Sequence, residues 1–394
     1  MKDRNHLANI GLIHQVNIIE NGLFDIPMLQ VLQTDGTLHP EAELPDISQQ
    51  DSLKILQTMQ YIRVLDERMV AAQRQGRISF YLACTGEEAS TVASAAALKP
   101  QDMIMSQYRE QGALAYRGFS SKEFMDQMFS NQNELNKGRQ MPIHYGSKSL
   151  NFMTISSPLG TQIPQASGYA YGQKMAGLEA VTICYFGEGA ASEGDFHAGL
   201  NMAAVLDCPV IFFCRNNGYA ISTPSEEQFA GDGIASRGIG YGVRTIRVDG
   251  NDVLAVYAAT QEARKIALEH NCPVLIEAMT YRLAAHSTSD DPTGYRSKDE
   301  EERWRLKDPV LRFKTWMYSK QWLDEKQNLA FIEEVRKEVL QALKLAEQVP
   351  VCAIEQIIED VYDTPPWHLK AQLAELKAHI DMYPEAYPKT SGRL

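Results

Sequence analysis

The chain has 394 residues, and its 38 basic and 50 acidic side chains give a formal net charge of −12. An acidic chain in which no Lys/Arg cluster stands out is not suited to a phosphate backbone, so the charge argues against nucleic-acid binding. No apolar run is long enough to span a bilayer, and the six scattered cysteines without a CxxC pair are typical of buried thiols in a reducing compartment.

The first 47 residues mix short apolar runs with prolines, and we predict that 1–47 form an extended arm without a core of its own. The first thirty residues lack both a signal-peptide core and the Arg-rich composition of an organelle transit peptide. This predicts a cytoplasmic protein, or a protein of the mitochondrial matrix if the chain is a processed form. A helix is predicted over 51–75, where apolar residues recur at helical spacing before Gly76.

Helix-start signals follow this first helix. Thr85 and Glu88 have the spacing of a capping box, which predicts a helix that runs to residue 98. An apolar strand is predicted over 103–109. Ser120 and Glu123 form a second capping-box pattern and predict another helix.

Residues 135–162 show little periodicity, and we predict a long functional loop there. The helix predicted over 164–175 has small residues on one face, at Ala166, Gly168, Ala170 and Gly172. Such a face allows close helix packing, so it is a candidate subunit contact.

The central part of the chain alternates strands with helices. Two buried strands, over 181–186 and 209–214, flank a helix over 190–206. A strand, a helix and a strand then follow, over 243–248, 252–270 and 274–282. This order predicts an α/β domain over 48–300, with a doubly wound parallel sheet and helices on both faces. Residues 301–394 are predicted to be a helical region that packs on the domain or on a partner.

Polar residues follow both central strands. Glu188 lies between two glycines after the first strand, and Asn216 and Asn217 follow the second. Parallel strands bring their carboxyl ends to one edge, so Glu188 and Asn217 are expected to converge. A carboxylate, an amide oxygen, a main-chain carbonyl and phosphate oxygens together suit Mg²⁺. The sequence therefore predicts a magnesium-diphosphate site.

The acidic residue between glycines, followed at this spacing by paired asparagines, resembles the thiamine diphosphate motif. Longer strings narrow the likeness: SQYREQG (106–112), GRQMPIHYG with ISSPLGTQIPQ (138–165), CRNNGYAIST (214–223) and YRLAAHSTSDDPTGYRS (281–297). With them the chain resembles alpha subunits of branched-chain 2-oxoacid dehydrogenases, the decarboxylating first component of a multienzyme complex. The likeness extends from about residue 26 to near the C-terminus.

The resemblance implies thiamine diphosphate and Mg²⁺ as cofactors. Glu188, the Asn217 side chain and the main-chain carbonyl of Tyr219 match the magnesium ligands. Further residues match groups that hold the diphosphate, namely Tyr108, Arg109, Arg215, His286 and the backbone amides of Gly189 and Ala190. Arginine suits this role because its planar fork pairs with phosphate oxygens. Tyr108 and His286 also belong to the catalytic set that the resemblance implies.

Other positions match the ring end and the substrate. Ser157 matches a contact to the cofactor ring, and Leu159 matches a bulky residue that bends the cofactor. Phe80 and Leu159 would line an apolar pocket for a branched side chain. A K⁺ cage is implied at Ser156, the Pro158 carbonyl, Thr161 and Gln162. Ser287 and Ser297 match positions that are phosphorylated in mitochondrial relatives.

The chain contains one cofactor-binding unit, the unit for the diphosphate end. The resemblance implies that a beta subunit supplies the glutamate that faces the aminopyrimidine ring, in a heterotetramer of two alpha and two beta chains. The small-molecule substrate would be a 2-oxoacid. Its acyl group would pass to the lipoyl group of the acyltransferase second component.

Three alternative interpretations stay open at this point. The chain could be the alpha subunit of a pyruvate or acetoin dehydrogenase, which has the same cofactor motif. It could be a non-catalytic protein that binds a nucleotide through magnesium, although it lacks a GxGxxG turn and a Walker loop. It could also be a cofactor-binding subunit with a purely structural role.

Overall fold

The computed structural model describes residue 15 and residues 25–387. Its strands are β1 (Met28–Leu29), β2 (Met103–Met105), β3 (Thr182–Gly187), β4 (Val210–Asn216), β5 (Tyr219–Ala220), β6 (Thr223–Pro224), β7 (Arg244–Asp249) and β8 (Val274–Met279). Six of them form one sheet in the order β1-β7-β8-β4-β3-β2, in which every neighbouring pair is parallel. β5 and β6 form a separate antiparallel pair.

The helices surround this sheet. They are α1 (Gln49–Arg74), α2 (Glu88–Ala96), α3 (Gln111–Tyr116), α4 (Ser121–Met128), α5 (Gln162–Met175), α6 (Gly194–Val205), α7 (Ser225–Gln228), α8 (Ala235–Gly240), α9 (Val253–His270), α10 (Lys298–Arg305), α11 (Pro309–Ser319), α12 (Glu325–Ala346) and α13 (Trp367–Met382). Short 3₁₀ turns lie at Ala190–Ser192, Pro292–Gly294, Ile354–Ile358 and Pro384–Ala386.

Successive residues along the central strands face two different apolar clusters. In β4, Ile211 and Phe213 pack in a cluster with residues of α1, α2 and α9. Phe212 and Cys214 face the opposite cluster, which contains residues of α5 and α6. The sheet is therefore buried on both sides, as the continuous apolar runs of β3 and β4 require. This confirms the predicted α/β fold with a parallel sheet and helices on both faces.

The two ends of the chain pack differently. β1, inside the arm predicted over 1–47, pairs with β7, and Val31 and Leu32 are buried beside it. α12 packs against α1 and α4 through buried Val335 and Val339, whereas α13 contributes no buried residue. The parts of the predicted arm and helical region at 1–14, 16–24 and 388–394 lie outside the described residues.

The Ser120–Glu123 capping box is present at α4, but the Thr85–Glu88 capping box is wrong. Glu87 is the residue before α2, and Thr85 Oγ1 donates to the buried Asp66 carboxylate (3.4 Å). Glu88 binds Arg63 (2.7 Å) and accepts from the Gly86 N–H (2.9 Å). Tertiary partners thus outcompete the local cap.

Three predicted boundaries are also wrong. The strand predicted over 103–109 ends at Met105, because the Glu110 carboxylate takes the N–H groups of Gln107 (2.9 Å) and Tyr108 (3.0 Å) away from the sheet. The helix predicted over 190–206 begins at Gly194, after the 3₁₀ turn at Ala190–Ser192. The strand predicted over 274–282 ends at Met279, where pairing with β4 and β7 stops.

All six cysteines are free thiols, and five of them are buried, in agreement with the prediction. Across the described part of the chain, we find no helix that combines the length and the apolar character needed to cross a membrane.

Candidate active site

A cavity of about 480 Å³ opens at the carboxyl ends of β3 and β4. The strand register pairs Gly187 with Arg215, so the residues after each strand lie side by side. Twelve of the predicted site residues line this cavity: Phe80, Tyr108, Arg109, Ser157, Leu159, Glu188, Gly189, Ala190, Arg215, Asn217, Tyr219 and His286. The fold thus brings together segments that are more than 200 residues apart in the sequence.

Glu188 is buried, and only one of its carboxylate oxygens has a protein partner. Oε2 accepts from the Asn217 N–H (3.3 Å), while Oε1 is buried without a hydrogen bond. Burial raises the pKa of Glu188 to about 7. A buried oxygen without a partner costs free energy. A cation in the cavity would satisfy it.

Asn217 and Tyr219 lie in the turn after β4. The side-chain oxygen of Asn217 accepts from the Tyr219 N–H (3.1 Å), which folds the turn over Gly218 at φ 84°. Among the described residues, no group of three or more His, Cys, Asp or Glu side chains is arranged to hold a metal ion. A divalent cation beside Glu188 would therefore need amide, carbonyl or ligand oxygens as well.

Arg215 lies at the floor of the cavity between two buried carboxylates. Its Nη1 is 2.8 Å from Glu87 Oε1, and its Nη2 is 2.6 Å from Glu110 Oε1. Burial alone would raise the pKa of Glu87, but Arg215 and Arg109 outweigh it and hold that pKa below its ordinary value. Glu87 Oε2 is a second buried oxygen without a partner.

His286 faces two arginines. Its Nδ1 lies 3.2 Å from Arg109 Nη2 and 3.3 Å from Arg282 Nη1. Burial and these two cations lower the pKa of His286 to about 4. The ring is neutral at neutral pH, and because arginine only donates, Nδ1 accepts and Nε2 carries the proton. Tyr108 packs edge-on against this ring, with centroids 6.4 Å apart.

Gly189 permits a close approach between the turn after β3 and the β5–β6 pair. A Cβ atom on Gly189 would lie 2.7 Å from the Cβ of Ala220, too close for any side chain. Gly189 precedes the 3₁₀ turn, and Ala190 begins it, where the sequence predicted the start of a long helix. Both residues line the cavity, and backbone N–H groups in such a turn suit an anion.

Apolar side chains form part of the cavity lining, which we call the apolar wall. Phe80 and Leu159 belong to it, together with Leu82, Met141 and Ile143, which sequence reasoning did not select. Ile143 (φ 68°) and Ile221 (φ 59°), which also lines the cavity, have left-handed backbones. This conformation is costly for a β-branched residue, and such residues concentrate at functional sites.

Ser157 Oγ lies 2.8 Å from His144 Nε2 at the same end of the cavity. The four residues of the predicted potassium cage lie next to it. Thr161 Oγ1 donates to the Pro158 carbonyl (3.1 Å) and is 3.3 Å from Ser156 Oγ, so three of the four oxygens cluster. The Gln162 side chain is buried, and its Nε2 donates to the Tyr185 carbonyl of β3 (3.0 Å).

The two predicted phosphorylation positions lie in the loop between β8 and α10. Ser287 is half-buried beside His286, and its Oγ is 3.1 Å from Ser289 Oγ. Ser297 is exposed and caps α10, where its Oγ accepts from the Glu300 N–H (3.1 Å).

Comparison with known proteins decides the family. The family described as "Dehydrogenase E1 component" matches residues 56–355. The chain belongs to this family. Membership implies that thiamine diphosphate is the cofactor. The residues present fit it, because the cavity combines an unpartnered buried carboxylate oxygen with arginines and backbone amides of a type suited to a diphosphate.

Individual members of this family are similar over most of their length. A protein of Caenorhabditis elegans named 2-oxoisovalerate dehydrogenase subunit alpha, mitochondrial, is 52% identical over 365 residues, which cover 92% of this chain and 84% of the relative. The Homo sapiens protein of the same name is 49% identical over 97% of this chain and 86% of its own length. The Arabidopsis thaliana protein named 2-oxoisovalerate dehydrogenase subunit alpha 1, mitochondrial, is 48% identical over 97% of this chain and 81% of its own length.

Sequence reasoning missed Glu87, His144 and Arg282, all of which contact predicted site residues. His144 and Arg282 lie inside the strings that carry the family likeness, which is the one signal that could have selected them. Glu87 had no such signal, since an acidic residue before a helix is usually a solvated one.

Proposed function

We propose that this chain is the alpha subunit of a thiamine diphosphate- and magnesium-dependent 2-oxoacid dehydrogenase. It would oxidatively decarboxylate branched-chain 2-oxoacids such as 3-methyl-2-oxobutanoate and transfer the acyl group to a lipoyl group. The observation that carries the cofactor site is the buried, unpartnered Glu188 Oε1 beside Asn217 at the carboxyl ends of β3 and β4.

The chain's own residues would have four roles around the cofactor. Glu188, the Asn217 side chain and the Tyr219 carbonyl would hold Mg²⁺. The diphosphate would be held by Tyr108, Arg109, Arg215, His286 and the amides of Gly189 and Ala190. Ser157 and Leu159 would contact the ring portion, and Phe80 with Leu159 would enclose the branched substrate. His286 holds its proton on Nε2 and can donate it as a hydrogen bond.

When bound, thiamine diphosphate supplies a carbon nucleophile and stores the electrons released as carbon dioxide leaves. This chain binds and orients it. Phe80, Leu82 and Ile143 are buried or half-buried apolar residues of the lining and would exclude water from the reacting end.

The preference for branched acids is supported by the names of the relatives and by the wall that Phe80, Leu82 and Ile143 form. An apolar pocket favours a substrate with additional methyl groups by about 1–3 kcal/mol. A pyruvate or acetoin dehydrogenase alpha subunit is the alternative within the same chemistry.

The assembly and the location are proposals of the same kind. The name "subunit alpha" supports a beta partner, and we propose a heterotetramer of two alpha and two beta chains that acts with a lipoyl-bearing acyltransferase. We retain the division into 1–47, 48–300 and 301–394, and a K⁺ ion at Ser156, Pro158, Thr161 and Gln162. For location we retain the cytoplasm or, for a processed chain, the mitochondrial matrix, and the relatives' names favour the matrix.

We also propose that phosphate on Ser287 would inhibit the enzyme. It would add negative charge beside His286 and Arg109, where the diphosphate is expected, and so compete with the cofactor or disorder the loop. Phosphate on Ser297 would alter the cap of α10. Treatment with a suitable kinase that leaves activity unchanged would contradict this.

The experiment measures carbon dioxide release from 3-methyl-2-oxobutanoate and from pyruvate. The chain is co-expressed with its candidate beta partner, and thiamine diphosphate and magnesium are present or omitted. Turnover that depends on both cofactors and favours the branched acid is the expected result. Glu188→Gln is the matched variant, and it should reduce this turnover on the order of 100-fold.

The other outcomes separate the alternatives. A preference for pyruvate would support the proposed cofactor site but contradict the proposed branched-chain substrate. Full activity of Glu188→Gln would indicate a subunit whose role is structural. Absence of turnover in an intact complex that binds the cofactor tightly would reject both substrates.

A further inference from the structure

We propose that His144 is a positioning residue that fixes the hydroxyl of Ser157 as a hydrogen-bond acceptor toward the cavity. His144 is not among the residues that hold the cofactor or the metal in the proposed function. The inference rests on the proposed function, because it concerns the ring portion of the proposed cofactor. The inference implies that Ser157 Oγ, at this end of the cavity, accepts a hydrogen bond from an N–H group of the ligand.

The hydrogen bonds of the His144 ring determine its tautomer. Nδ1 lies 3.0 Å from the Pro142 carbonyl oxygen, which can only accept, so Nδ1 carries the proton. In the neutral ring Nε2 is then an acceptor. Ser157 Oγ, 2.8 Å away, must donate its single proton to Nε2. The remaining lone pairs of the Ser157 oxygen are available to the cavity that both residues line.

The segment that carries His144 is held rigidly. The side-chain amide of Gln127 donates to the Met141 carbonyl (2.7 Å) and accepts from the Ile143 N–H (3.0 Å), so it binds the segment twice. The Ile155 N–H donates to the Tyr145 carbonyl (3.0 Å), so this segment is hydrogen-bonded to the residues that immediately precede Ser157. His144 itself is only 6% exposed.

The left-handed backbone of Ile143 belongs to the same arrangement. A buried β-branched residue at φ 68° persists only where its surroundings enforce it. Here the two Gln127 bonds enforce it, and the next residue is His144. The strained residue therefore sets the direction in which the imidazole enters the cavity wall.

The proposal predicts different effects for two substitutions of similar size. Asparagine at 144 can replace the Nδ1 donor to Pro142 but does not reach Ser157, whereas glutamine can place its amide oxygen near the Nε2 position. His144→Asn is expected to weaken thiamine diphosphate binding by about tenfold, the effect of one well-placed hydrogen bond. His144→Gln is expected to recover most of that affinity.

Three measurements on the alpha–beta assembly separate positioning from a general structural role. The first is the dissociation constant for thiamine diphosphate with magnesium. The second is the dissociation constant for inorganic diphosphate, which should change by less than about twofold because the ring end is not engaged. The third is a double-mutant cycle with Ser157→Ala, in which the two effects should not add.

His379→Asn is the matched control. Its Nδ1 also lies close to a hydroxyl, Tyr387 Oη at 2.7 Å, but on exposed α13. Both ligands should bind this variant as they bind the unsubstituted assembly. Thermal unfolding of each variant checks folding. If His144→Asn does not fold, Ser157→Ala alone tests the same acceptor, because it should lower thiamine diphosphate affinity to a similar extent.

The results distinguish this inference from the proposed function. Failure of the unsubstituted assembly to bind thiamine diphosphate would overturn both. If the assembly binds it, the positioning role is overturned by unchanged affinity in His144→Asn or Ser157→Ala, by equal losses for both ligands, or by additive effects in the cycle. The proposed function would then stand without it.

Discussion

Arg312 and Arg215 are both buried arginines that bridge two carboxylates, but their surroundings differ. Arg312 Nη1 lies 2.8 Å from Asp249, and its Nη2 lies 3.5 Å from Asp252 and donates to the Leu32 carbonyl. The Asp252 carboxylate also accepts from the N–H groups at the start of α9. In the part of the chain that the structure describes, no buried side-chain oxygen of this cluster lacks a partner.

The Arg215 cluster has ion pairs of 2.8 Å to Glu87 and 2.6 Å to Glu110, but it borders the cavity. Glu87 Oε2 and the neighbouring Glu188 Oε1 are buried without partners. The difference teaches that a buried charged group does not by itself indicate a functional site. A buried charged group indicates a functional site when one of its atoms lacks a protein partner, because a ligand can then supply that partner.

The largest expected effect concerns the satisfied cluster. Arg312→Met leaves Asp249 and Asp252 buried without their cation, and should lower the free energy of unfolding by about 3–5 kcal/mol. Urea denaturation measures this. Arg336→Met, at an exposed position of α12, is the control and should change it little. A decrease in the free energy of unfolding of less than about 1 kcal/mol would mean that the Arg312 cluster does not stabilise the fold appreciably.

Asp66 extends the comparison to a buried carboxylate with polar partners but no cation. Burial raises its pKa to about 7, although Tyr81 Oη (2.7 Å) and the Cys84 N–H (2.8 Å) donate to it. The folded chain therefore retains a proton that the unfolded chain loses near pH 3.8. Stability should fall as pH rises from about 4 to 7, by up to about 4 kcal/mol.

Asp66→Asn should remove this part of the pH dependence. The free energy of unfolding is measured at several pH values for the original chain and for the variant. The difference between the two chains at each pH isolates the contribution of Asp66, because the other titratable groups contribute equally to both. Asp363→Asn, at an exposed position, serves as the control. A difference between the original chain and Asp66→Asn that stays constant from pH 4 to 7 would reject the shifted pKa.

The unsatisfied cluster predicts loss of activity without loss of stability. Glu188→Gln removes the proposed magnesium ligand and should reduce cofactor-dependent turnover on the order of 100-fold, about 2.7 kcal/mol. The same change removes a buried unpartnered carboxylate, so the free energy of unfolding without cofactor should stay equal or rise. Magnesium titrations of activity and urea denaturation check the two halves.

Glu193→Gln is the matched control, because Glu193 lines the same cavity but is exposed. It should retain its activity. A Glu188→Gln variant that is much less stable and still active would contradict the comparison, because Glu188 would then serve stability, as the Arg312 cluster does, and not activity.

The smallest expected effect is on substrate choice. Phe80→Trp adds volume to the apolar wall and should reduce the ratio of kcat/KM for 3-methyl-2-oxobutanoate to that for pyruvate by about tenfold, or 1.4 kcal/mol. Steady-state kinetics with both acids measures this ratio. An unchanged ratio, with both activities retained, would place the branched side chain elsewhere.

The sequence by itself determined the alternation of strands and helices and the position of Glu188 and Asn217. These features depend on local apolar runs and on two chain-adjacent strands, β3 and β4, which pair in register. Parallel pairing then leaves little freedom, because the ends of both strands must meet at one edge. The family likeness added residues from distant strings, such as His286, which local patterns alone could not have connected to that edge.

Only the tertiary structure decided which polar groups are satisfied. The Thr85 cap failed because Asp66, far along α1, takes the hydroxyl. The partnership of His144 with Ser157 and the backbone of Ile143 depend in the same way on contacts between separate segments. Hydrogen-bond competition among such segments is a property of the packed chain, and no local pattern in the sequence encodes it.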